Sequence, residues 1–239
     1  MALKIETLAN AVGSSLVDEY GRDIGTLVSL VSDVDGYIQH VEVKIVDRGV
    51  ERIPGDRIRL RDGKLVIVPE WKYNAMKVIE GLDRAYRRRK ALENIASSGD
   101  IPAEVVDGMK RKLSEEIKKL KINADNVKKE VKSRIARIDD ELLHIASAIA
   151  NLQMLYFSGE VSERGYTQGM NHLRKLKESL SAEKSDAKST LDRLEKTLEI
   201  ASGPYTREAQ PVKKGFTQQP KVVEAPAAQE ESLVIKIEE

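Results

Sequence analysis

The stretch LSEEIKKLKINADNVKKEV, residues 113–131, decides the fold of this chain. Its apolar residues recur at steps of four and three, namely Leu113, Ile117, Leu120, Ala124, Val127 and Val131. That spacing is the a/d seam of a left-handed coiled coil. After a four-residue step to Ile135, the seam resumes at Ile138, Leu142, Ile145, Ile149 and Leu152. The pattern predicts a helical rod about 80 Å long at 1.5 Å per residue.

Two more helices are predicted around this rod. Residues 73–96 show helical spacing, and the polar stretch 97–100 ends this first helix. Asp100 is the expected N-terminal cap of the long helix that follows, and Pro102 is expected in the first turn of that helix. Gly159 and Ser162 are a suitable C-terminal cap and N-cap between the long helix and a last one. The last helix has its own seam, at Tyr166, Met170, Leu173, Leu176, Leu180, Ala187, Leu191, Leu194 and Leu198.

The short break between these two helices favours an antiparallel hairpin. The polar stretch 181–189 predicts a weak point in it. The start of the long helix, residues 102–120, would keep an apolar stripe without a partner. Self-association into dimers or filaments would cover that stripe. Alternatively, the first helix, residues 71–97, folds back on it.

Residues 1–70 are predicted to be all-β. Short apolar stretches alternate there with turn signals, which are Asp35-Gly36, Asp47-Arg48-Gly49, Pro54-Gly55-Asp56 and Asp62-Gly63. Asp-Gly between apolar runs indicates a hairpin, because such turns need a positive φ that Gly adopts without strain. Five or six strands in so few residues favour a small closed barrel over a two-sheet sandwich.

This segment resembles the PRC-barrel family, an interaction module. The resemblance rests on Val12-Gly13, Leu16-Val17-Asp18, Gly21, Ile24-Gly25-Thr26-Leu27 and the run 53–58. It implies sharp turns at Gly21 and Gly25 and places Asp18 beside the first hairpin. The fold class is therefore predicted as α+β and multidomain. A PRC-barrel-like domain (1–70) is followed by a helical coiled-coil region (71–202), a disordered Pro-rich linker (203–230) and a terminal strand motif (231–239).

The last residues alternate as a β-strand does, with Leu233, Ile235 and Ile237 on one face and Val234 and Lys236 on the other. The segment before them has Pro204, Pro211, Pro220 and Pro226 and no hydrophobic period, which predicts a disordered tether. A lone strand needs a sheet edge to pair with. We therefore predict that residues 233–237 bind a partner protein by strand addition. The alternatives are that they dock on the chain's own N-terminal sheet or that they simply fray.

Composition limits the remaining functions. The chain has 40 basic and 39 acidic residues and no cysteine, so disulfides and thiolate metal sites are excluded. No signal peptide or long apolar run is present, which predicts an intracellular protein. A dense basic run at Arg84, Arg87, Arg88, Arg89 and Lys90 could contact DNA or anionic lipid. The stretch 110–137 has eleven basic against four acidic residues, which also fits a solvated flank of a coiled coil.

No catalytic motif is recognised. The three histidines, His40, His144 and His172, have no neighbouring Ser or carboxylate at the spacing of a triad or a metal site. No glycine-rich phosphate loop occurs in the sequence. We therefore expect neither an enzyme nor a cofactor.

The whole layout resembles the CdvA family of crenarchaeal cell-division proteins. The barrel motif, the coiled coil containing residues 159–162 and Tyr166, the Pro-rich linker and the terminal strand carry this resemblance. It implies a scaffold that forms filaments at mid-cell, associates with membrane and DNA, and recruits the ESCRT-III homologue CdvB. Residues 233–237 would then bind the winged-helix domain of CdvB. The alternative function is a nucleoid-associated DNA-binding protein.

Overall fold

The computed structural model describes residues 3–203, which form a six-stranded sheet followed by three long helices. A short helix α1 (Ile5–Leu8) precedes the sheet. The strands are β1 (Ser15–Asp18), β2 (Asp23–Ser32), β3 (Ile38–Ile45), β4 (Gly49–Pro54), β5 (Ile58–Arg61) and β6 (Lys64–Ile67). The helices are α2 (Glu70–Ser98), α3 (Ala103–Phe157) and α4 (Glu163–Ser202). The predicted α+β arrangement is confirmed.

The sheet has the strand order β4-β3-β2-β1-β6-β5. All pairs are antiparallel except β1 with β6, which is parallel. Every strand contributes to one hydrophobic cluster, including Ile53 from one end of the sheet and Ile58 from the other. The two ends can share a core only if the sheet curls around it. Assignment to the PRC-barrel family stays a prediction.

The turns of the sheet lie where the sequence predicted them. Gly21 and Gly63 have φ values of 78° and 74°, which glycine adopts without a steric penalty. The expected turn at Gly25 is wrong, because this residue lies within β2. A side chain there would collide with the carbonyl oxygen of Lys44 on the neighbouring strand, so glycine is needed for close backbone approach.

The helices pack in two zones along α3. In the first, α2 and the C-terminal half of α4 flank the N-terminal half of α3 and bury Trp71, Leu82, Ala124, Val131 and Leu194 in one core. In the second, α3 and α4 continue as a two-helix hairpin around Ile138, Ile145 and Leu180. We refer to this second zone, residues 138–180, as the hairpin tip.

The apolar stripe at the start of α3 is covered within the same chain. Ala85 of α2 packs on Leu113 and Ile117. The alternative interpretation of the sequence, that the first helix folds back, is therefore confirmed. Self-association stays a prediction, but an uncovered stripe at residues 102–120 is no longer a reason for it.

The predicted helix ends agree with the structure except at the start of α3. Gly99 and Gly159 both have a positive φ just beyond a helix, and the Ser162 hydroxyl accepts a hydrogen bond from the Gly165 amide. Asp100 is not a cap, because α3 begins at Ala103 with Pro102 at the N-cap position. Leu176, predicted in the seam of α4, is 43% exposed.

Candidate functional site

Many hydrogen bonds and ion pairs lie at the junction between the sheet and the helices. It begins at Asp18, the last residue of β1, which is 4% exposed. Its carboxylate accepts hydrogen bonds from the backbone amides of Tyr20 and Arg22, at 2.9 Å each, and from Nε of Arg22 at 2.6 Å. These bonds close the β1–β2 turn and aim the Arg22 side chain toward the helices.

Arg22 connects this turn to Glu183 of α4. One guanidinium nitrogen of Arg22 lies 2.6 Å from the carboxylate of Glu183, which is only 1% exposed. Arg134 of α3 donates two further hydrogen bonds to the same carboxylate, at 2.7 and 2.8 Å. The indole N–H of Trp71, from α2, donates a fourth at 3.1 Å. Glu183 thus joins β1–β2, α2, α3 and α4.

The charges of this cluster hold one another in the ionised form. Burial alone would raise the pKa of Glu183, but the hydrogen bonds and charges of Arg134 and Arg22 lower it below its ordinary value. The hydrogen bonds that Arg134 donates to Glu183 raise the pKa of Arg134 above its ordinary value. Because a buried charge is costly without a partner, each member of the cluster depends on the others.

A second set of polar contacts runs beside the first. The ammonium group of Lys72 in α2 lies 2.8 Å from Glu19 and 2.7 Å from Asp186 of α4. The hydroxyl of Tyr20 also donates to Asp186, at 2.7 Å. Burial is the largest cause that raises the pKa of Tyr20, and the hydrogen bond to Asp186 raises it further. We call the two sets together, Asp18, Glu19, Tyr20, Arg22, Trp71, Lys72, Arg134, Glu183 and Asp186, the junction network.

A cavity of about 540 Å³ adjoins the junction network, between the sheet and α2. Arg57 lies in its wall and donates from Nε to the backbone carbonyl of Val68 at 3.1 Å. Burial lowers the pKa of Arg57. Arg22, Arg134 and Glu183 also line the cavity, where both arginines pair with the Glu183 carboxylate. This pairing positions the sheet on α3 and α4.

The predicted basic run on α2 divides into two parts. Arg84, Arg87, Arg88 and Lys90 are exposed. We call these four residues the α2 basic surface. Arg88 lies 3.7 Å from Glu116 of α3, and Arg84 lies 3.8 Å from Glu80.

Arg89 is not part of the α2 basic surface, because it is only 6% exposed. It donates to the backbone carbonyls of Ile200, Ala201 and Gly203, at 3.3, 3.0 and 2.8 Å. Those carbonyls lie at the C-terminal end of α4, where the helix itself offers them no hydrogen-bond donor. Arg89 therefore acts as a side-chain cap for α4.

The basic stretch 110–137 of α3 also includes residues with structural partners. Arg134 is part of the junction network, and Lys128 pairs with Glu195 of α4. His40, His144 and His172 lie in β3, α3 and α4. Within residues 3–203, no group of His, Asp and Glu could hold a metal ion. No helix in this range is long and apolar enough to span a membrane. The predicted partner-binding residues 233–237 lie outside the described residues.

Sequence reasoning missed the junction network, although a signal for it exists. Arg134 lies between seam residues Val131 and Ile138, and Glu183 lies between Leu180 and Ala187, so both charges occupy seam positions of facing helices. Within the polar stretch 181–189, Glu183 is buried with three donor residues around it. That the hairpin is weak there stays a prediction. Opposite charges at seam positions of an antiparallel hairpin would have indicated a buried pair.

A small sheet domain joined by buried ion pairs to a long antiparallel helical hairpin defines a protein of the coiled-coil class. A model of the CdvA-like coiled-coil domain matches residues 70–215. The chain is also 31% identical over 195 residues to Cell division protein A of Sulfolobus acidocaldarius, which covers 82% of each chain. The chain therefore belongs to the CdvA family.

Proposed function

We propose that this protein is a non-enzymatic cell-division scaffold. It polymerises into filaments at the division site, associates with membrane, and recruits the ESCRT-III homologue CdvB through residues 233–237. The observation that carries this proposal is the junction network, which fixes an N-terminal domain onto α3, a helix of 55 residues. A rigid rod of about 80 Å suits assembly and display of binding segments more than it suits catalysis. The similarity to Cell division protein A supports the cellular role.

Recruitment is tested by titrating the winged-helix domain of CdvB into the full-length protein in a calorimeter. Truncation after Glu231 should abolish binding. Ile235→Pro should abolish it too, because proline removes a backbone donor while leaving the residue apolar. Lys236→Ala is the matched control and should bind nearly as well as the wild type. Undiminished binding of Ile235→Pro would exclude strand addition.

The α2 basic surface gives a second candidate function, DNA binding. Four exposed cations within two turns of one helix can neutralise phosphates of a nucleic-acid backbone. Double substitution of Arg84 and Arg87 by glutamine should then weaken binding and flatten its dependence on salt concentration. Arg89 is unsuitable for this test, since it caps α4. An unchanged salt dependence in the double variant would place the DNA contact elsewhere.

A further inference from the structure

The cavity between the sheet and α2 is large enough to hold a small organic molecule. Its volume of about 540 Å³ falls within the range of roughly 300–1,000 Å³ that is typical of ligand sites. Its walls come from strands β2, β3, β4 and β6, from the first turns of α2, and from part of the junction network. A molecule bound there would therefore contact both the sheet and the helices.

Arg57 lies largely buried in this wall with only a weak acidic partner. Its side chain is 14% exposed, and its Nε donates to the backbone carbonyl of Val68 at 3.1 Å. Within residues 3–203, its two terminal nitrogens donate no hydrogen bond. Glu70 pairs with it at 3.8 Å but is 71% exposed, so water screens the pair. Burial lowers the pKa of Arg57, and the charges of Glu70 and Asp56 do not offset this effect.

The other buried charges of the wall balance one another. Arg22 and Arg134 both pair with Glu183, and Arg22 also pairs with Asp18. These two cations and two anions leave Arg57 as an unbalanced positive charge among the buried residues of the wall. Because a buried charge is costly without a partner, an anion that enters the cavity would be held there by Arg57.

The rest of the wall is partly apolar. Ile24 and Ile45 line the cavity, and the fold leaves both of them only half-buried. Pro54 and Trp71 also line it. Apolar walls with a few polar groups that fix orientation are the usual form of a site for a small molecule.

We propose that this cavity binds a small monocarboxylate with an apolar body. The carboxylate pairs with the terminal nitrogens of Arg57, and the apolar body packs on Ile24 and Ile45. A guanidinium group presents parallel N–H donors whose geometry matches the two oxygens of a carboxylate. The inference goes beyond the proposed scaffold function, since it assigns a small-molecule site to the junction of the sheet with the helices.

The charges of the wall favour a carboxylate over a phosphate. A single unbalanced cation matches the one negative charge of a carboxylate, whereas a phosphate monoester carries about two. The second charge would be repelled by Glu51 and Glu70, which also line the cavity and are 43% and 71% exposed. Arg52 does not compensate for them, because it pairs with Glu42 at 3.2 Å. Nucleotides and sugar phosphates should therefore bind poorly.

Trp71 makes the site observable, because it lines the cavity and is the only tryptophan in the chain. Carboxy-PROXYL is a suitable probe, since it has an apolar ring, one carboxylate and a nitroxide that quenches tryptophan fluorescence on contact. Carbamoyl-PROXYL is the matched control, in which an amide replaces the carboxylate. With the full-length protein, the carboxylate should quench saturably at a concentration at least tenfold lower than the amide. Equal quenching by the two probes would overturn the proposal.

Substitution of Arg57 tests the assigned cation. Arg57→Gln should raise the half-saturating concentration of carboxy-PROXYL at least tenfold. Arg57→Lys should raise it by a smaller factor, because it keeps the charge but loses the paired donors. Lys64→Gln is the control, since it removes an exposed cation of β6 outside the cavity wall, and it should bind as the wild type does. Undiminished binding by either Arg57 variant, with a native circular dichroism spectrum, would contradict the proposal.

Competition identifies the chemical class of the ligand. Octanoate should displace carboxy-PROXYL from the wild type, and inorganic phosphate at the same concentration should not. Octanoate should also raise the melting temperature of the wild type but not that of Arg57→Gln, because a ligand that binds the folded state stabilises it. If phosphate displaces the probe as well as octanoate does, the cavity is a general anion site and the assignment of a carboxylate is wrong. An equal rise in melting temperature for the two proteins would place octanoate elsewhere and overturn the proposal.

Discussion

Replacing Glu183 by glutamine should destabilise the protein by about 3 kcal/mol, although the two side chains have nearly the same shape. The substitution removes the negative charge that faces Arg22 and Arg134, and loss of one partner from a buried ion pair costs about 3–5 kcal/mol. The low end applies here, because Arg22 keeps Asp18 and Arg134 keeps Glu141 as second partners. The two arginine side chains are also 25% and 19% exposed.

Trp71 provides the assay. It is the only tryptophan in the chain, it is 6% exposed, and its indole N–H donates to Glu183. Urea unfolding followed by its fluorescence should show the full loss of stability, and the melting temperature should fall by about 6–12 °C for a chain of this length. Glu195→Gln is a matched control on the same helix, since Glu195 pairs with Lys128 at the surface, and it should unfold like the wild type. A loss below about 1 kcal/mol for Glu183→Gln would refute the reasoning that the junction network holds the sheet to the helices.

Three further predictions concern the same parts of the molecule. The difference in stability between the wild type and Glu183→Gln should persist at neutral pH and close as pH falls below about 4.3, because the lowered pKa of Glu183 gives stability that is lost on protonation. Arg89→Ala should speed hydrogen exchange in the last turn of α4 and cost about 1.5–3 kcal/mol, whereas Arg88→Ala should leave exchange there unchanged. Gly21→Val should cost more than about 1 kcal/mol in thermal unfolding because φ is positive there, whereas Gly108→Ala, in open space on α3, should stabilise by about 0.5–1 kcal/mol.

Regular patterns in the sequence predicted the elements well, and the reason is physical. Apolar residues at heptad spacing can be buried only on one face of a helix, so Ile117, Val131 and Ile145 specified α3 without further information. Gly21 and Gly63 likewise marked turns because few other residues tolerate a positive φ. These signals are local: each one requires only its neighbours along the chain.

Pairing between distant segments was harder to predict. Nothing local to Ala85 indicates that α2 covers Leu113 and Ile117, since a second copy of the chain could cover them equally well. Arg89 resembled its basic neighbours because its role depends on carbonyl groups more than a hundred residues away in sequence. The candidate site was missed for the same reason, because a charge at a seam position has meaning only once its partner is known.

The position of the buried charges explains why the hairpin has a single register. Two helices with apolar residues every seven positions can slide past each other by one heptad and still bury leucine against isoleucine, so the apolar seam alone specifies alignment poorly. Arg134 and Glu183 remove that freedom, because any slide would part the Glu183 carboxylate from Arg134 and leave it buried without its main donor. Arg22 adds the sheet to the same constraint, since its guanidinium reaches Glu183 only when α3 and α4 are correctly aligned. The polar cluster contributes less stability than well-packed leucine residues would in its place. It nevertheless sets both the alignment of α3 with α4 and the placement of the N-terminal domain.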